Sequence, residues 1–223
     1  MIPKLGALQK EIVQIFAHLP EAEYFYLTGG TALSAFYLFH RFSEDLDFFT
    51  PEEHLVSYLG DNLKTNLEKN NFQVNLTRKF KSFYEMLASK KNESVRVHLA
   101  LDSPFRFEKP ILTELGIKVD SFLDIATNKL TALYGRFEIR DYVDIYFLIK
   151  EGHYSLENLI EKTKEKDPGL DTYYLAIAFE KIKEIPDELS NLPLIMFKEF
   201  DVKEMKNFFI QEAVKLLEKS RKK

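Results

Sequence analysis

Residues 24–50 have the sequence YFYLTGGTALSAFYLFHRFSEDLDFFT, and this stretch decides the fold. The aromatic and apolar run at 24–27 predicts a buried strand, and a glycine pair follows almost directly. Gly29 and Gly30 permit backbone conformations and close approaches that a side chain would forbid. Residues 31–39 then fit a helix whose first N–H groups face the turn, an arrangement that suits a phosphate group.

Two aspartates separated by one residue follow this helix. Residues 45–49 predict a second strand, in which alternation points Asp45 and Asp47 to one face and Leu46 and Phe48 into the core. Two carboxylates beside a glycine turn can hold Mg²⁺ against a nucleoside triphosphate. An ordinary strand–turn–helix unit with two solvated aspartates has the same pattern and is the alternative.

These motifs, in this order and spacing, resemble the active-site signature of the DNA-polymerase-β-like nucleotidyltransferases. More narrowly, LTGGTAL at 27–33 followed by RFSEDLDFF at 41–49 resembles the AbiEii/AbiGii toxin family of type IV toxin–antitoxin and abortive-infection systems. The resemblance implies transfer of a nucleotidyl group from a nucleoside triphosphate to an acceptor hydroxyl. It implies that Mg²⁺ is held by the catalytic residues Asp45 and Asp47, and that the substrate is bound by Gly29, Gly30, Thr31, Arg41 and Ser43. The acceptor would be a tRNA 3′ end or a protein side chain, and an antitoxin would be a partner.

A second motif lies at residues 129–148, KLTALYGRFEIRDYVDIYFL. Lys129, Arg140 and Asp144 would lie near one face of a continuous helix, where a salt-bridged helix surface is the simplest interpretation. The stretch also resembles the later motif of the family, a lysine followed by Arg-Asp-x-x-Asp. That resemblance implies that Lys129 contacts the nucleotide phosphates and that Asp144 helps to hold the lysine or the acceptor. It assigns Arg140 and Asp141 to the substrate site.

The chain departs from the superfamily at the third carboxylate, which a neighbouring strand usually supplies. In the matching run, VRVHLALD at 95–102, His98 stands where the family often has the acid, and Asp102 is the alternative on the same face. We predict that His98 points into the site with Asp45 and Asp47, as a base or a metal ligand. Asp102 would lie farther away, at the strand end.

Composition indicates a folded protein without disulfides. The 223 residues are 45% hydrophobic, contain no cysteine and carry a net charge of −4. No apolar run is long enough to span a membrane, so we expect a cytoplasmic protein. The net charge does not favour nucleic acid, and RNA binding would need a local basic patch. The candidates are Arg78, Lys79, Lys81, Lys90 and Lys91, for which a solvated hairpin is the alternative.

The whole pattern predicts an α+β fold. We expect a nucleotidyltransferase-type mixed sheet with flanking helices over residues 1–120, in which 72–101 forms an antiparallel meander, and a helical C-terminal part over 121–223. A competing hypothesis is a degenerate nucleotidyltransferase fold that binds a nucleotide or a partner protein without catalysis. His98 favours that hypothesis, and the intact Asp45/Asp47 pair argues against it.

Overall fold

The computed structural model of the protein describes residues 4–220, with residue 220 described by its backbone alone. The chain forms two compact units, Met1–Ile125 and Ala126–Lys223. The first holds the sheet, and the second is helical. Our boundary at residue 120 stays a prediction.

The first unit is built on a seven-stranded mixed sheet in the order β3-β4-β5-β2-β1-β7-β6. The strands are β1 (Tyr26–Thr28), β2 (Leu46–Thr50), β3 (Gln73–Phe80), β4 (Phe83–Lys90), β5 (Glu93–Leu101), β6 (Ile111–Leu112) and β7 (Lys118–Val119). The two strands of the central motif, β1 and β2, are antiparallel, and β2 pairs in parallel with β5. The meander β3-β4-β5 is antiparallel, which confirms the mixed α+β fold predicted from the sequence.

The helices lie in both units. They are α1 (Ala7–Ala17), α2 (Gly29–Ala32), α3 (Glu53–Lys69), α4 (Phe122–Gly135), α5 (Ile139–Lys150), α6 (Leu156–Lys166), α7 (Thr172–Glu180) and α8 (Val202–Ser220). The helix predicted at 31–39 starts two residues earlier as α2 and continues as a π-helix, Leu33–Leu38, which ends where Phe39 has a φ of 52°. Within residues 4–220, no helix combines the length and the apolar character needed to cross a membrane.

One face of the sheet forms the core of the first unit. Leu27, Phe48 and Leu99 are fully buried on this face, and burying a side chain of this size contributes about 1.5–3 kcal/mol. Helix α3 packs against β3, β4 and β5 on the same side. Gly60 of α3 lies so close to the ring of Tyr84 that a Cβ there would be 2.5 Å from it. The backbone of α3 can therefore approach the sheet only because residue 60 is glycine.

The opposite face carries a line of polar side chains that we call the polar row: Glu85, His98, Asp47, Thr28 and Asp120. The strand registers pair Glu85 with His98, His98 with Asp47, and Asp47 with Thr28. Cross-strand partners share a sheet face, so these side chains lie side by side. The Thr28 hydroxyl extends the row by donating a 2.8 Å hydrogen bond to Asp120, which is fully buried.

The second unit has an aromatic core between its helices. Tyr142 of α5 is fully buried, and its hydroxyl donates a 2.6 Å hydrogen bond to the carbonyl of Ala178 in α7. Phe209 of α8 packs edge-on against Tyr142 and Phe179. Ser155 accepts a hydrogen bond from the backbone N–H of residue 158 and so caps the start of α6.

Candidate active site

The glycine turn at the end of β1 lies directly against Asp47. Gly29 has a φ of +70°, a conformation that L side chains rarely adopt. A Cβ at this position would overlap the Oδ2 atom of Asp47 and lie 3.2 Å from its Cγ. Residue 29 must therefore be glycine for two reasons, its backbone conformation and the space that the Asp47 carboxylate occupies.

His98 lies between two carboxylates of the polar row. Its Nδ1 atom is 2.7 Å from Oδ1 of Asp47, and its Nε2 atom is 3.1 Å from Oε2 of Glu85. Ionised carboxylates only accept hydrogen bonds, so both contacts are satisfied together when the ring carries two N–H groups and a positive charge. Burial alone would lower the pKa of His98. The hydrogen bond and charge of Asp47, with the charges of Asp45 and Glu85, outweigh burial, so that the pKa is raised above its ordinary value.

Glu85 is the residue of this site that the sequence analysis missed. It lies on β4, and its carboxylate accepts a 2.6 Å hydrogen bond from the hydroxyl of Thr77 as well as the contact from His98. The Thr77 hydrogen bond, aided by the positive charge of His98, holds the pKa of Glu85 below its usual range. Glu85 is thus set up to stay ionised and to face the charged form of His98.

Asp102, the alternative to His98, has other partners. Its carboxylate accepts hydrogen bonds from the hydroxyl of Tyr26 and the guanidinium of Arg106. Arg106 also pairs with Asp120 and stacks over the ring of Tyr26, with 4.0 Å to the ring centroid. The structure therefore places His98 next to Asp47, as predicted. Asp102 is bound instead to Tyr26 of β1 and to Arg106 in the loop after β5.

Three residues that the family resemblance assigned to the substrate hold the turn itself together. The Thr31 hydroxyl donates to the carbonyl oxygens of Asp45 and Ser43. Arg41 is buried, and its guanidinium donates a 2.9 Å hydrogen bond to the carbonyl of residue 42. These contacts fix the path of the chain between the glycine turn and Asp45. Substrate contacts by Thr31, Arg41, Ser43 and the Gly29–Gly30 backbone stay predictions.

In the second unit, the predicted lysine motif forms a buried charge cluster. Lys129 on α4 lies 2.7 Å from a carboxylate oxygen of Asp144 and 3.2 Å from one of Asp141. Both aspartates are on α5 and fully buried, and Arg136 adds a 2.8 Å contact to Asp141. Helix α4 ends at residue 135 and α5 begins at residue 139. The motif therefore spans two helices and does not lie along one continuous helix. The proposed phosphate contact of Lys129 and the substrate role of Arg140 stay predictions.

The carboxylates of the first unit are chemically suited to Mg²⁺. Within residues 4–220, no group of three or more His, Cys, Asp or Glu side chains is arranged to hold a metal ion. Mg²⁺ in nucleotide sites is commonly bound by one or two carboxylates together with substrate phosphates, and Asp45 and Asp47 can supply that set. Both ring nitrogens of His98 face carboxylates, so the geometry favours His98 as a counter-charge. Its role as a metal ligand stays a prediction.

The basic residues proposed for RNA binding are divided between the two faces of the meander. Lys79 and Lys81 form ion pairs with acidic side chains of α3, and Lys90 pairs with one of α1. Arg78 pairs in register with Glu85 and therefore lies on the same face as the polar row. Lys91 is exposed in the turn between β4 and β5, where its φ is 58°. The five residues therefore do not form one patch.

The fold is of the nucleotidyltransferase type. JHP933 from Helicobacter pylori has a similar structure, with a TM-score of 0.60 and 21% identity over 96% of this chain and 91% of that one. A second H. pylori structure, provisionally described as a nucleotidyltransferase, matches with a TM-score of 0.60 and 22% identity over 97% of this chain and 96% of that one. At these identities, the two likenesses concern the fold.

The sequence comparisons give the family. The model of the family described as "Nucleotidyl transferase AbiEii toxin, Type IV TA system" matches residues 12–219. An uncharacterized protein of Aquifex aeolicus (strain VF5), aq_aa25, is 30% identical over 175 residues, which cover 75% of this chain and 78% of that protein. The chain belongs to the AbiEii family of nucleotidyl transferase toxins.

Proposed function

We propose that this protein is a Mg²⁺-dependent nucleotidyltransferase that acts as the toxin of a type IV toxin–antitoxin system. The observation that carries the proposal is the close approach of Asp47 to Gly29. Because Gly29 has no Cβ, the Asp47 carboxylate fits directly beside the glycine turn. Membership in the AbiEii family supports the reaction class. A nucleoside triphosphate is the donor, and nucleotidyl transfer to a hydroxyl group is the reaction.

Asp45 and Asp47 would hold the metal ion. When bound there, Mg²⁺ neutralises charge on the triphosphate and favours in-line displacement at phosphorus. The acceptor hydroxyl gives its proton to solvent water and its oxygen forms a bond to the α-phosphorus. The bond from that phosphorus to the bridging oxygen breaks, and pyrophosphate leaves. His98 donates a hydrogen bond to Asp47 and fixes the orientation of that carboxylate. Lys129 is proposed to neutralise charge on the leaving phosphates.

The acceptor and the partners belong to the same proposal. The acceptor is the 3′ hydroxyl of a tRNA or a hydroxyl of a protein side chain, and the type IV family implies an antitoxin protein as partner. We place the protein in the cytoplasm, where nucleoside triphosphates and both kinds of acceptor are present.

One observation favours a second function. The positive charge of His98 lies against Asp47, at the position where the superfamily often has a third carboxylate. A site with this charge could bind a nucleotide, or a partner protein, without transferring the nucleotidyl group. Nucleotide binding without transfer would identify the protein as a degenerate member of the fold.

Labelled transfer separates the two functions. The protein would be incubated with each α-labelled nucleoside triphosphate, with total tRNA or total cell protein, in Mg²⁺ or in EDTA. We expect label in the acceptor fraction only with Mg²⁺, and none with the Asp45→Asn/Asp47→Asn variant. Label at the parent level with this variant would refute the assignment of the two aspartates. Thermal stabilisation by Mg²⁺ and a triphosphate, without any labelled acceptor, would favour the second function.

A further inference from the structure

The face of the meander that continues from the polar row is open. Arg78 and Phe80 on β3 pair in register with Glu85 and Phe83 on β4, and Arg96 on β5 lies two residues before His98. Residues two apart on a strand share a face, and so do cross-strand partners. The other side of β4 lies under α3, where Tyr84 is fully buried. We call Arg78, Phe80, Phe83 and Arg96 the outer face.

The two arginines of the outer face are available to a ligand. Both are exposed, and no salt bridge within residues 4–220 involves either side chain. The charges of the two arginines act on Glu85. The hydrogen bond from Thr77 lowers the pKa of Glu85 most, and the charges of His98, Arg78 and Arg96 lower it further. Lys79 and Lys81 differ, because acidic side chains of α3 neutralise them. On the side that faces away from α3, the negative charge of Glu85, which pairs with His98, offsets only part of the positive charge of Arg78, Arg96 and His98.

Two aromatic rings lie beside the line of cross-strand partners that joins Arg78 to the site. Phe80 is 63% exposed, although a phenylalanine ring gains stability from burial. Phe83 is half-buried, and its ring centroid is 5.5 Å from that of His98. Exposed aromatic rings among arginines are the usual surface for single-stranded nucleic acid, because bases stack on the rings and arginines bind the phosphates.

The position of the outer face fits an acceptor that ends at the two aspartates. Arg78, Glu85, His98 and Asp47 follow one another in register on four adjacent strands. At about 4.8 Å between strands, Arg78 is roughly 14 Å from Asp47, which is within the reach of a few nucleotides. We propose that the outer face binds single-stranded nucleic acid and leads its 3′ hydroxyl to Asp45 and Asp47. This inference rests on the proposed function, and it selects a nucleic acid over a protein as the acceptor.

The test measures binding of a labelled 12-nucleotide RNA, and of a DNA of the same sequence, at several salt concentrations. Each arginine bound to a phosphate contributes about 0.7 to the slope of log K against log[salt] for a single strand, so Arg78→Gln/Arg96→Gln should lower the slope by about 1.4. The matched control, Lys79→Gln/Lys81→Gln, removes the same charge from the helix side of the meander and should leave the slope unchanged. Phe80→Ala should weaken binding at least about fivefold without changing the slope. All five side chains are exposed, and the partners of Lys79 and Lys81 are acidic side chains of α3 that are themselves at least partly exposed, so we expect the variants to fold.

The inference is overturned if the arginine and lysine variants lose the same affinity, or if the parent binds neither oligonucleotide at low salt. The proposed function is tested separately on the same samples, by thermal stabilisation with Mg²⁺ and a triphosphate and by labelled transfer. A parent that labels protein but binds no oligonucleotide would refute the outer face as an acceptor site and leave the reaction intact. Oligonucleotide binding that depends on Arg78 and Arg96, without any transfer, would support the surface and refute the reaction.

Discussion

Gly29→Ala is the substitution that tests the site most directly. The new Cβ would have two effects. It would require an alanine at a φ of +70°, and it would overlap the Oδ2 atom of Asp47. Asp47 would have to move, and its 2.7 Å hydrogen bond with His98 would be lost or stretched.

The two effects have separate magnitudes. A residue with a Cβ in the left-handed region costs about 1–2 kcal/mol. A hydrogen bond to a charged group contributes about 1.5–3 kcal/mol. We therefore expect Gly29→Ala to lower the free energy of unfolding by about 2.5–5 kcal/mol.

Gly116→Ala is the matched control in the same unit. Gly116 has a φ of +77°, and a Cβ there would meet only the Cβ of Ala17, at an ordinary contact distance of 3.5 Å. This variant should lose only the backbone part, about 1–2 kcal/mol. Urea unfolding of both variants in EDTA, compared with the parent, measures the difference, and stabilisation by Mg²⁺ with a triphosphate should fall for Gly29→Ala alone. Equal losses of stability would show that the contact between Gly29 and Asp47 does not exist, and unchanged ligand stabilisation of Gly29→Ala would refute its role in the site.

Three further predictions concern charged groups. Asp47→Asn should lower the stability of the metal-free protein by about 1–3 kcal/mol in urea unfolding, because His98 loses its charged partner. A more stable variant would contradict this and would mean that repulsion between Asp45 and Asp47 dominates. Because the pKa of His98 is raised in the folded protein, its stabilising contribution should be complete below about pH 6.5 and be lost as the pH rises through the folded value. The difference in unfolding free energy between the parent and His98→Gln, measured in EDTA from pH 5.5 to 9, should therefore shrink with rising pH, and growth would contradict this sign. Lys129→Ala should cost about 3–5 kcal/mol, because two buried carboxylates lose their shared cation. A loss of unfolding free energy below about 1 kcal/mol in thermal or urea unfolding would contradict this expectation. If Lys129→Ala lost the same affinity for a triphosphate as for a nucleoside, the loss of binding would be due to destabilisation and not to a missing phosphate contact.

The elements that the sequence predicted well are those with a strong periodic pattern. The last strand of the meander predicted over 72–101 is β5, Glu93–Leu101, in which the apolar residues alternate. Helix α3, Glu53–Lys69, is one of the flanking helices predicted over residues 1–120, and a leucine recurs on one of its faces. Strand β6 was missed because two exposed residues, Ile111 and Leu112, give no period. The π-helix was missed because six residues do not distinguish its period from that of an α-helix.

The candidate site could be predicted only where it depends on local sequence. The positions of Asp45 and Asp47 beside the glycine turn follow from motifs within one stretch. The contact of Glu85 with His98 depends on the register of β4 and β5, which the turn at 91–92 sets by pairing Lys90 with Glu93. A register shifted by one residue would move Glu85 to the face under α3. The sequence predicted the antiparallel meander over 72–101 but not its exact turns, so it could not identify this partner.

The charge of the polar row explains why a histidine can stand where the superfamily often has an acid. Asp47 and Glu85 carry one negative charge each and His98 one positive charge, so the three groups sum to −1. With an acid at position 98, the same three positions would sum to −3, with two like-charged neighbours on a partly buried strand, which is unfavourable without a metal ion. Glu85 is therefore the residue that makes a protonated His98 favourable, and His98 in turn holds Asp47 in a fixed orientation before any metal binds. This chain therefore still has a third carboxylate near Asp47, that of Glu85. It lies on β4, one strand farther from Asp47 than position 98, and the imidazole ring of His98 lies between the two carboxylates.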